Sequence, residues 1–258
     1  MIYDYTILLF LFLFGAAIGS FLNCVIYRLE IGKSFISGRS FCPKCKKEIK
    51  AIDLIPILSF VLLKGKCRYC ASKISLQYPL VELLVAIVFV VVFLYTDNMI
   101  DLVFLLPIFS LMVLIFIYDL KHYLIPDQAI LLASLLAISW HLVLDAEIVM
   151  FILSAIGASA FFGLIYFISK GEWIGFGDVK LALFMGLFLG FPNILTALFL
   201  SFVIGSVVGI IAILLKKKEV KSEIPFAPFL ITGTVLSFFY GSNILNWYFD
   251  LININAIF

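Results

Sequence analysis

The sequence predicts an all-α polytopic membrane protein. Of its 258 residues, 64% are hydrophobic and only 13% are charged, and the mean hydropathy is +1.21. One soluble core of this size has no room for so much apolar surface. Crossing about 30 Å of hydrocarbon takes roughly 20 apolar residues. Eight apolar stretches predict about eight transmembrane helices, the sixth being the shortest: residues 5–26, 79–95, 102–118, 128–144, 148–169, 179–191, 193–215 and 226–249.

The same composition excludes several other classes of protein. With 16% aromatic residues the chain is neither disordered nor collagen-like, and it is no small disulfide-bonded secreted domain. A net charge of +2 leaves no long basic stripe, so we expect no nucleic-acid partner.

The basic residues predict the orientation of the chain in the membrane. If the N-terminus lies outside, all 18 Lys and Arg fall in cytoplasmic loops, and the opposite side receives only acids. The basic positions are those within residues 28–73, then Lys121, Lys170, Lys180 and residues 216–221. Since the N-terminus lacks a basic n-region and a cleavage site, we interpret the first stretch as a retained helix.

Four cysteines in a basic loop predict a structural zinc site. Cys42, Cys45, Cys67 and Cys70 form two CxxC motifs, a spacing close to that of a four-thiolate zinc ribbon. Disulfides, a redox pair or a site that holds no metal are the alternatives. Cys24 has no sequence partner and is interpreted as a buried packing residue. The chain thus divides into a first transmembrane helix (1–27), a cytoplasmic cysteine loop (28–78) and a membrane domain (79–258).

The apolar residues 54–63 lie between the two CxxC motifs and are too few to span a bilayer. We expect this segment to pack against the membrane helices or to lie at the membrane interface.

Two aspartates stand where apolar stretches meet the cytoplasmic side. Asp119 follows one stretch, and Asp178 ends the motif Gly175-Phe176-Gly177-Asp178 before another. A carboxylate at the edge of hydrocarbon needs a partner, water or a function, so the two acids predict one shared site. Two neighbouring carboxyls that share one proton are the chemistry of aspartic proteases, and glycines let the backbone approach a substrate. The alternative is that both are ordinary helix-end acids.

A third acid, Asp127, follows Pro126 and precedes a helix. This is the position of an N-cap, so we assign Asp127 to capping and loop geometry rather than to catalysis. His122 lies between Asp119 and Asp127 and is interpreted as a solvated or interfacial side chain.

In combination, these motifs resemble those of the bacterial prepilin peptidases, or type IV leader peptidases. The matching segments are Gly19 to Asn23 with Arg28, the four cysteines, 53–56, 65–67, 78–82, Asp119 to Asp127, Gly175 to Asp178, and 225–229, where Ala227 replaces a usual glycine. The resemblance implies that 79–258 is a peptidase domain in a bacterial cytoplasmic membrane, with Asp119 and Asp178 catalytic and Gly175, Gly177 and Asp127 in the active-site loop.

The resemblance also implies the substrate and the methyl donor. The substrates are type IV prepilins or pseudopilins, whose basic leader is removed at the cytoplasmic membrane edge. Many members then methylate the new N-terminus with S-adenosylmethionine, although the sequence contains no glycine-rich fingerprint for that donor. We expect Asp127 and Glu172 to contact the leader, and the basic loop 28–78 to face anionic lipid headgroups.

Three rival functions fit part of the pattern. A presenilin-like protease shares GxGD, but its Pro-Ala-Leu motif is missing here. A transporter or channel needs acids deep within its helices, and Glu82 is the only other candidate. A zinc-ribbon scaffold without catalysis leaves GxGD unexplained.

Overall fold

The computed structural model describes residues 5–34, 38–215 and 224–251, and these segments are almost entirely helical. Their only β pairing is two isolated bridges, Phe41 with Glu48 and Lys66 with Lys73. A 3-10 helix covers Ala51–Leu54. The α-helices of the described residues are α1 (Tyr5–Glu30), α2 (Leu58–Leu62), α3 (Gln77–Tyr95), α4 (Met99–His122), α5 (Asp127–Val143), α6 (Ile148–Ser169), α7 (Phe176–Leu189), α8 (Asn193–Leu214) and α9 (Ala227–Leu251).

Each predicted apolar stretch corresponds to one of these helices, which confirms the all-α membrane fold. Six of them, α1, α3, α4, α6, α8 and α9, are long and apolar enough to cross a bilayer. The other two are shorter, 17 residues in α5 and 14 in α7. The predicted basic segment 216–221 lies outside the described residues.

The chain forms two compact units, Met1–Leu114 and Ile115–Phe258. In the first, α1 packs along α3 through small residues. A Cβ added to Gly15 would lie 2.8 Å from the Ala86 Cα, and one added to Gly19 would lie 2.7 Å from the Glu82 Cα. Glycine at both positions therefore lets the two backbones touch, as small residues do at membrane helix interfaces.

In the second unit, α7 packs against α5, α6, α8 and α9. Ten of its 14 residues are buried. A Cβ on Gly186 would collide with the backbone of Ala155 in α6. Because α7 packs against protein on most of its surface, it does not need the length of a helix that spans the bilayer in contact with lipid.

Candidate functional site

The two predicted aspartates lie in the second unit, at opposite ends of two different helices. Asp119 is in the last turn of α4 and Asp178 in the first turn of α7. Both are buried, with 5% and 8% of their surface exposed. Their carboxyl groups are close enough for the Asp119 charge to act on Asp178. The structure thus brings together the two acids that the sequence singled out.

The two carboxyl groups have different hydrogen-bond partners. Asp178 Oδ2 accepts the Gly175 N–H at 3.2 Å, so Asp178 caps the start of α7. Asp119 faces the N–H of Ala227 at the first residue of α9. Its Oδ2 atom is buried and has no hydrogen-bond partner among the described residues. A buried carboxyl oxygen without a protein partner is costly, so Asp119 Oδ2 is available for a hydrogen bond with a water or a substrate.

Gly177 lets the GxGD segment contact the loop that follows α4. A Cβ on Gly177 would lie 3.1 to 3.3 Å from three side-chain atoms of Ile125. Gly175 is less constrained, since its φ of −79° is open to any residue and an added Cβ would make only ordinary contacts. The close approach in this structure therefore depends on Gly177.

Asp127 does not cap α5, and this prediction was wrong. Pro126 takes the N-cap position in an extended conformation, so Asp127 becomes the first helical residue and its side chain makes no cap. Instead, Asp127 Oδ1 accepts a hydrogen bond from Lys180 Nζ at 2.7 Å. Lys180, whose ammonium also lies 5.1 Å from the centre of the Phe176 ring, thereby connects α7 to the start of α5.

Two further residues, Ala227 and His122, lie near the pair although the sequence predicted no catalytic role for them. The sequence pattern assigns Ala227 no role beyond its place in the proline motif 225–229, and the structure puts its N–H beside Asp119. His122, predicted to be solvated or interfacial, is half-buried, and its ring packs on Tyr118 with the ring centres 4.5 Å apart.

The four cysteines of the loop lie together in the first unit. Their Sγ atoms are all within 4.8 Å of one another. Cys42 Sγ and Cys70 Sγ are 3.9 Å apart, close to the edge of about 3.8 Å for a tetrahedron with Zn–S bonds of about 2.3 Å. The donor set fits one divalent metal ion bound by four thiolates. Cys24 is half-buried in α1 and takes no part in this cluster.

The two CxxC turns have the same backbone geometry. The N–H of Lys46 donates to the Cys42 carbonyl, and the N–H of Ala71 donates to the Cys67 carbonyl, both at 2.9 Å. Lys46 and Ala71 both have positive φ, 60° and 55°. Each turn thus directs two sulfurs toward one point.

The local surroundings of Cys70 favour the metal-binding form of its thiol. Hydrogen bonds with Ser72, first from its hydroxyl, whose oxygen is 3.1 Å from the sulfur, and then from its backbone, lower the pKa of Cys70 to about 6. The Lys47 backbone lowers the pKa of Cys45, but the neighbouring thiols outweigh it and raise that pKa to about 11, so the four thiols lose their protons together only when a cation is bound. The thiolate is the form that binds metal.

Comparison with known proteins identifies the family of the chain. The bacterial peptidase A24 N-terminal domain matches residues 13–96, and the type IV leader peptidase family matches residues 104–210. Relatives named prepilin leader peptidase/N-methyltransferase occur in Legionella pneumophila (32% identity, 92% of each chain) and in Aeromonas salmonicida (34%, 93% of each chain). A relative of the same name from Bacillus subtilis is 31% identical over 93% of this chain and 97% of its own.

The chain belongs to the type IV leader peptidase family. Asp119 and Asp178 fall within the segment that matches the leader peptidase family, and the four cysteines fall within the segment that matches the N-terminal domain. No solved structure matches the chain with significance.

Proposed function

We propose that this protein is a membrane aspartic endopeptidase that removes the basic leader of type IV prepilins and pseudopilins and then methylates the new N-terminus. The observation that carries the proposal is the buried pair Asp119 and Asp178, in which one oxygen of Asp119 has no hydrogen-bond partner among the described residues. The names of its relatives supply the substrate class.

In the proposed mechanism the two carboxyl groups act together. Two close carboxyls share one proton because both cannot ionise together. The ionised member takes a proton from water, while the protonated member donates a hydrogen bond to the scissile carbonyl oxygen. The water oxygen then bonds to the carbonyl carbon, the C–N bond breaks, and the amine leaves with a proton.

Gly175, Gly177 and Asp127 hold the loops around this pair. Gly175 fixes the position of Asp178 through its N–H, and Gly177 allows the contact with Ile125. The Asp127–Lys180 ion pair joins the start of α5 to α7. These residues are positioning residues in the proposed mechanism.

The cysteine cluster is proposed to hold one structural zinc ion. Four thiolates complete a tetrahedron and leave no open position for water, so the ion would stabilise the loop and would not hydrolyse the substrate. The proposed leader cleavage needs no metal.

Methylation rests on the names of the relatives. S-adenosylmethionine would supply a methyl group to the amine that cleavage releases. We assign no residue to the binding of this donor.

We further propose that the protein lies in a bacterial cytoplasmic membrane, with its N-terminus outside and both sites on the cytoplasmic side. The support is the placement of all 18 basic residues on one side of the predicted spans. A basic leader would be drawn to this side by acids near the scissile bond, while the apolar part of the prepilin stays in lipid.

A transporter is less well supported by the positions of the acids. Asp119 and Asp178 lie in a last and a first helical turn, not in the middle of a span. Acids of an ion pathway typically lie within the membrane interior.

The direct test is cleavage of a purified prepilin in the presence of labelled S-adenosylmethionine. We expect Asp119→Asn and Asp178→Asn each to abolish leader removal, because an amide can neither share nor relay the proton. Asp145→Asn is the matched control, since Asp145 is exposed in a loop with a positive φ that asparagine tolerates.

Methylation of an already cleaved pilin reports whether the inactive variants are folded. We expect both to keep this activity. Wild-type rates of leader removal by either variant would refute the assignment of the catalytic pair.

A further inference from the structure

The apolar segment between the two CxxC motifs exposes large side chains to its surroundings. Leu58, Val61 and Leu62 of α2 are 59%, 64% and 76% exposed. Ile52 and Ile55, just before α2, are exposed as well. A contiguous apolar surface on an otherwise basic loop indicates an interface rather than contact with water.

A buried acid fixes the position of α2 along α3. The Ile57 N–H, at the residue before α2, donates to Glu82 Oε2 at 2.7 Å. Glu82 is held in turn by Ser20 of α1 and lies under Gly19 at the α1–α3 contact.

Glu82 is the sixth residue of α3, a helix long and apolar enough to span the membrane. At 1.5 Å per residue it lies about 8 Å along the helix from its first residue. The start of α2 is therefore level with the first turns of a spanning helix and not above them in solvent.

The exposed surface of α2 is apolar, like the exposed side of the first turns of α3. Leu80, Leu83 and Leu84, on the same turns of α3 as Glu82, are exposed large apolar residues of a candidate span. A bilayer that covers these leucines at the depth of Glu82 also reaches α2.

Basic residues flank the apolar segment at both ends. Lys50 precedes it, Lys64 and Lys66 follow it, and all three are exposed. The acid just before the segment, Asp53, is paired with Arg68, whose guanidinium lies 2.6 Å from Asp53 Oδ1. This arrangement of apolar side chains between lysines suits a boundary of acyl chains and anionic headgroups.

We propose that α2 and the turn before it insert into the headgroup and acyl boundary of the leaflet at the N-terminal end of α3. The segment anchors the cysteine loop to anionic lipid, with Glu82 setting its depth and the lysines contacting headgroup phosphates.

The test measures the depth of single tryptophans in the full-length protein, reconstituted in bilayers that contain phosphatidylglycerol. Trp140, Trp173 and Trp247 are first changed to phenylalanine, and a single tryptophan is introduced by Leu62→Trp. The probes are phospholipids brominated near the headgroup end of the acyl chain. Leu83→Trp is the lipid-exposed control, and Tyr69→Trp, in the second CxxC turn, is the control outside the segment.

We expect the bromolipid to reduce Leu62→Trp emission about twofold, as for Leu83→Trp, and to leave Tyr69→Trp unchanged. Water-like, unquenched emission from Leu62→Trp would overturn the proposal. Emission protected from both acrylamide and bromolipid would also overturn it, because the surface would then be covered by protein, either a second copy or a substrate helix.

The proposed contact of the lysines with anionic headgroups is tested by changing the lipid charge or the lysines. In bilayers of neutral lipid, or with Lys50, Lys64 and Lys66 all changed to glutamine, we expect quenching of Leu62→Trp to fall toward half its value. Identical quenching in neutral and anionic bilayers would contradict the headgroup contacts.

Discussion

The cysteine cluster and the aspartate pair are built in different ways. The cluster consists of two copies of one local turn, each closed by its own backbone hydrogen bond and each followed by a residue with positive φ. The pair is assembled from the end of α4 and the start of α7, with the start of α9 beside it. One site is formed by local sequence, and the other by the packing of helices that are distant in sequence.

This difference predicts where each site is vulnerable. A local turn loses its function when a ligand is removed but tolerates changes elsewhere. A site assembled across helices depends on the residues that hold those helices in register, such as Gly177 and Lys180. Variants can therefore separate the two kinds of site.

Removal of one cysteine should have the largest effect. Cys42→Ser or Cys67→Ser deletes a thiolate from the tetrahedron, so we expect bound zinc to fall from about one per chain to below about a tenth. Cys24→Ser is the control, because Cys24 lies outside the cluster and should leave the zinc content unchanged. Metal analysis of protein purified without chelator measures this. Wild-type protein with no metal and four freely titrating thiols would rule out the zinc site.

A methyl group at Gly177 should damage the aspartate site without touching the cysteines. Gly177→Ala places a Cβ 3.1 to 3.3 Å from side-chain atoms of Ile125, so Ile125 must shift by a few tenths of an ångström, and we expect leader cleavage to fall by about 10-fold. Gly157→Ala is the matched control, since nothing lies within 4 Å of the added Cβ. Zinc content should stay normal in both variants. Equal cleavage rates for the two would mean that the Gly177–Ile125 contact does not position Asp178.

The Asp127–Lys180 ion pair should contribute less, because both side chains are partly exposed, 69% and 37%. Such pairs are typically worth below about 1 kcal/mol, so we expect Lys180→Ala and Asp127→Asn each to lower cleavage about two- to fivefold. The double variant should be no worse than either single one if the two residues act only through each other. Arg39→Gln, which breaks the exposed Arg39–Glu48 pair of the first unit, serves as the control. Strictly additive losses would argue against coupling.

The same contrast explains what the sequence could predict. The length of the apolar stretches predicted the membrane helices, and the CxxC spacing predicted the cysteine cluster, because both patterns are local in sequence. The start of α7 was placed three residues late, since its cap is formed by Gly175 and Asp178 rather than by apolar residues.

Contacts between distant residues were not predictable in this way. Lys180 and Asp127 are 53 positions apart, and nothing in the local pattern around Asp127 distinguished a partner from a cap. The position of Ala227 beside Asp119 likewise follows from helix packing, although the proline motif marked the segment as unusual.

The smallest expected effect concerns how the site attracts a basic leader. Glu172 is exposed in the loop between α6 and α7, and it has no ion pair among the described residues, whereas Asp127 is already paired with Lys180. Of the two predicted leader contacts, Glu172 is therefore the one whose negative charge is available to attract a basic leader. We expect Glu172→Lys to slow cleavage of a strongly basic leader about two- to threefold, and less at high salt, because exposed charges are screened. Glu172→Gln should show about half of this effect on a logarithmic scale. The deciding experiment repeats the measurement with a leader that has fewer basic residues. If Glu172→Lys slows cleavage of that leader equally, Glu172 acts through the fold of the loop and not through its charge.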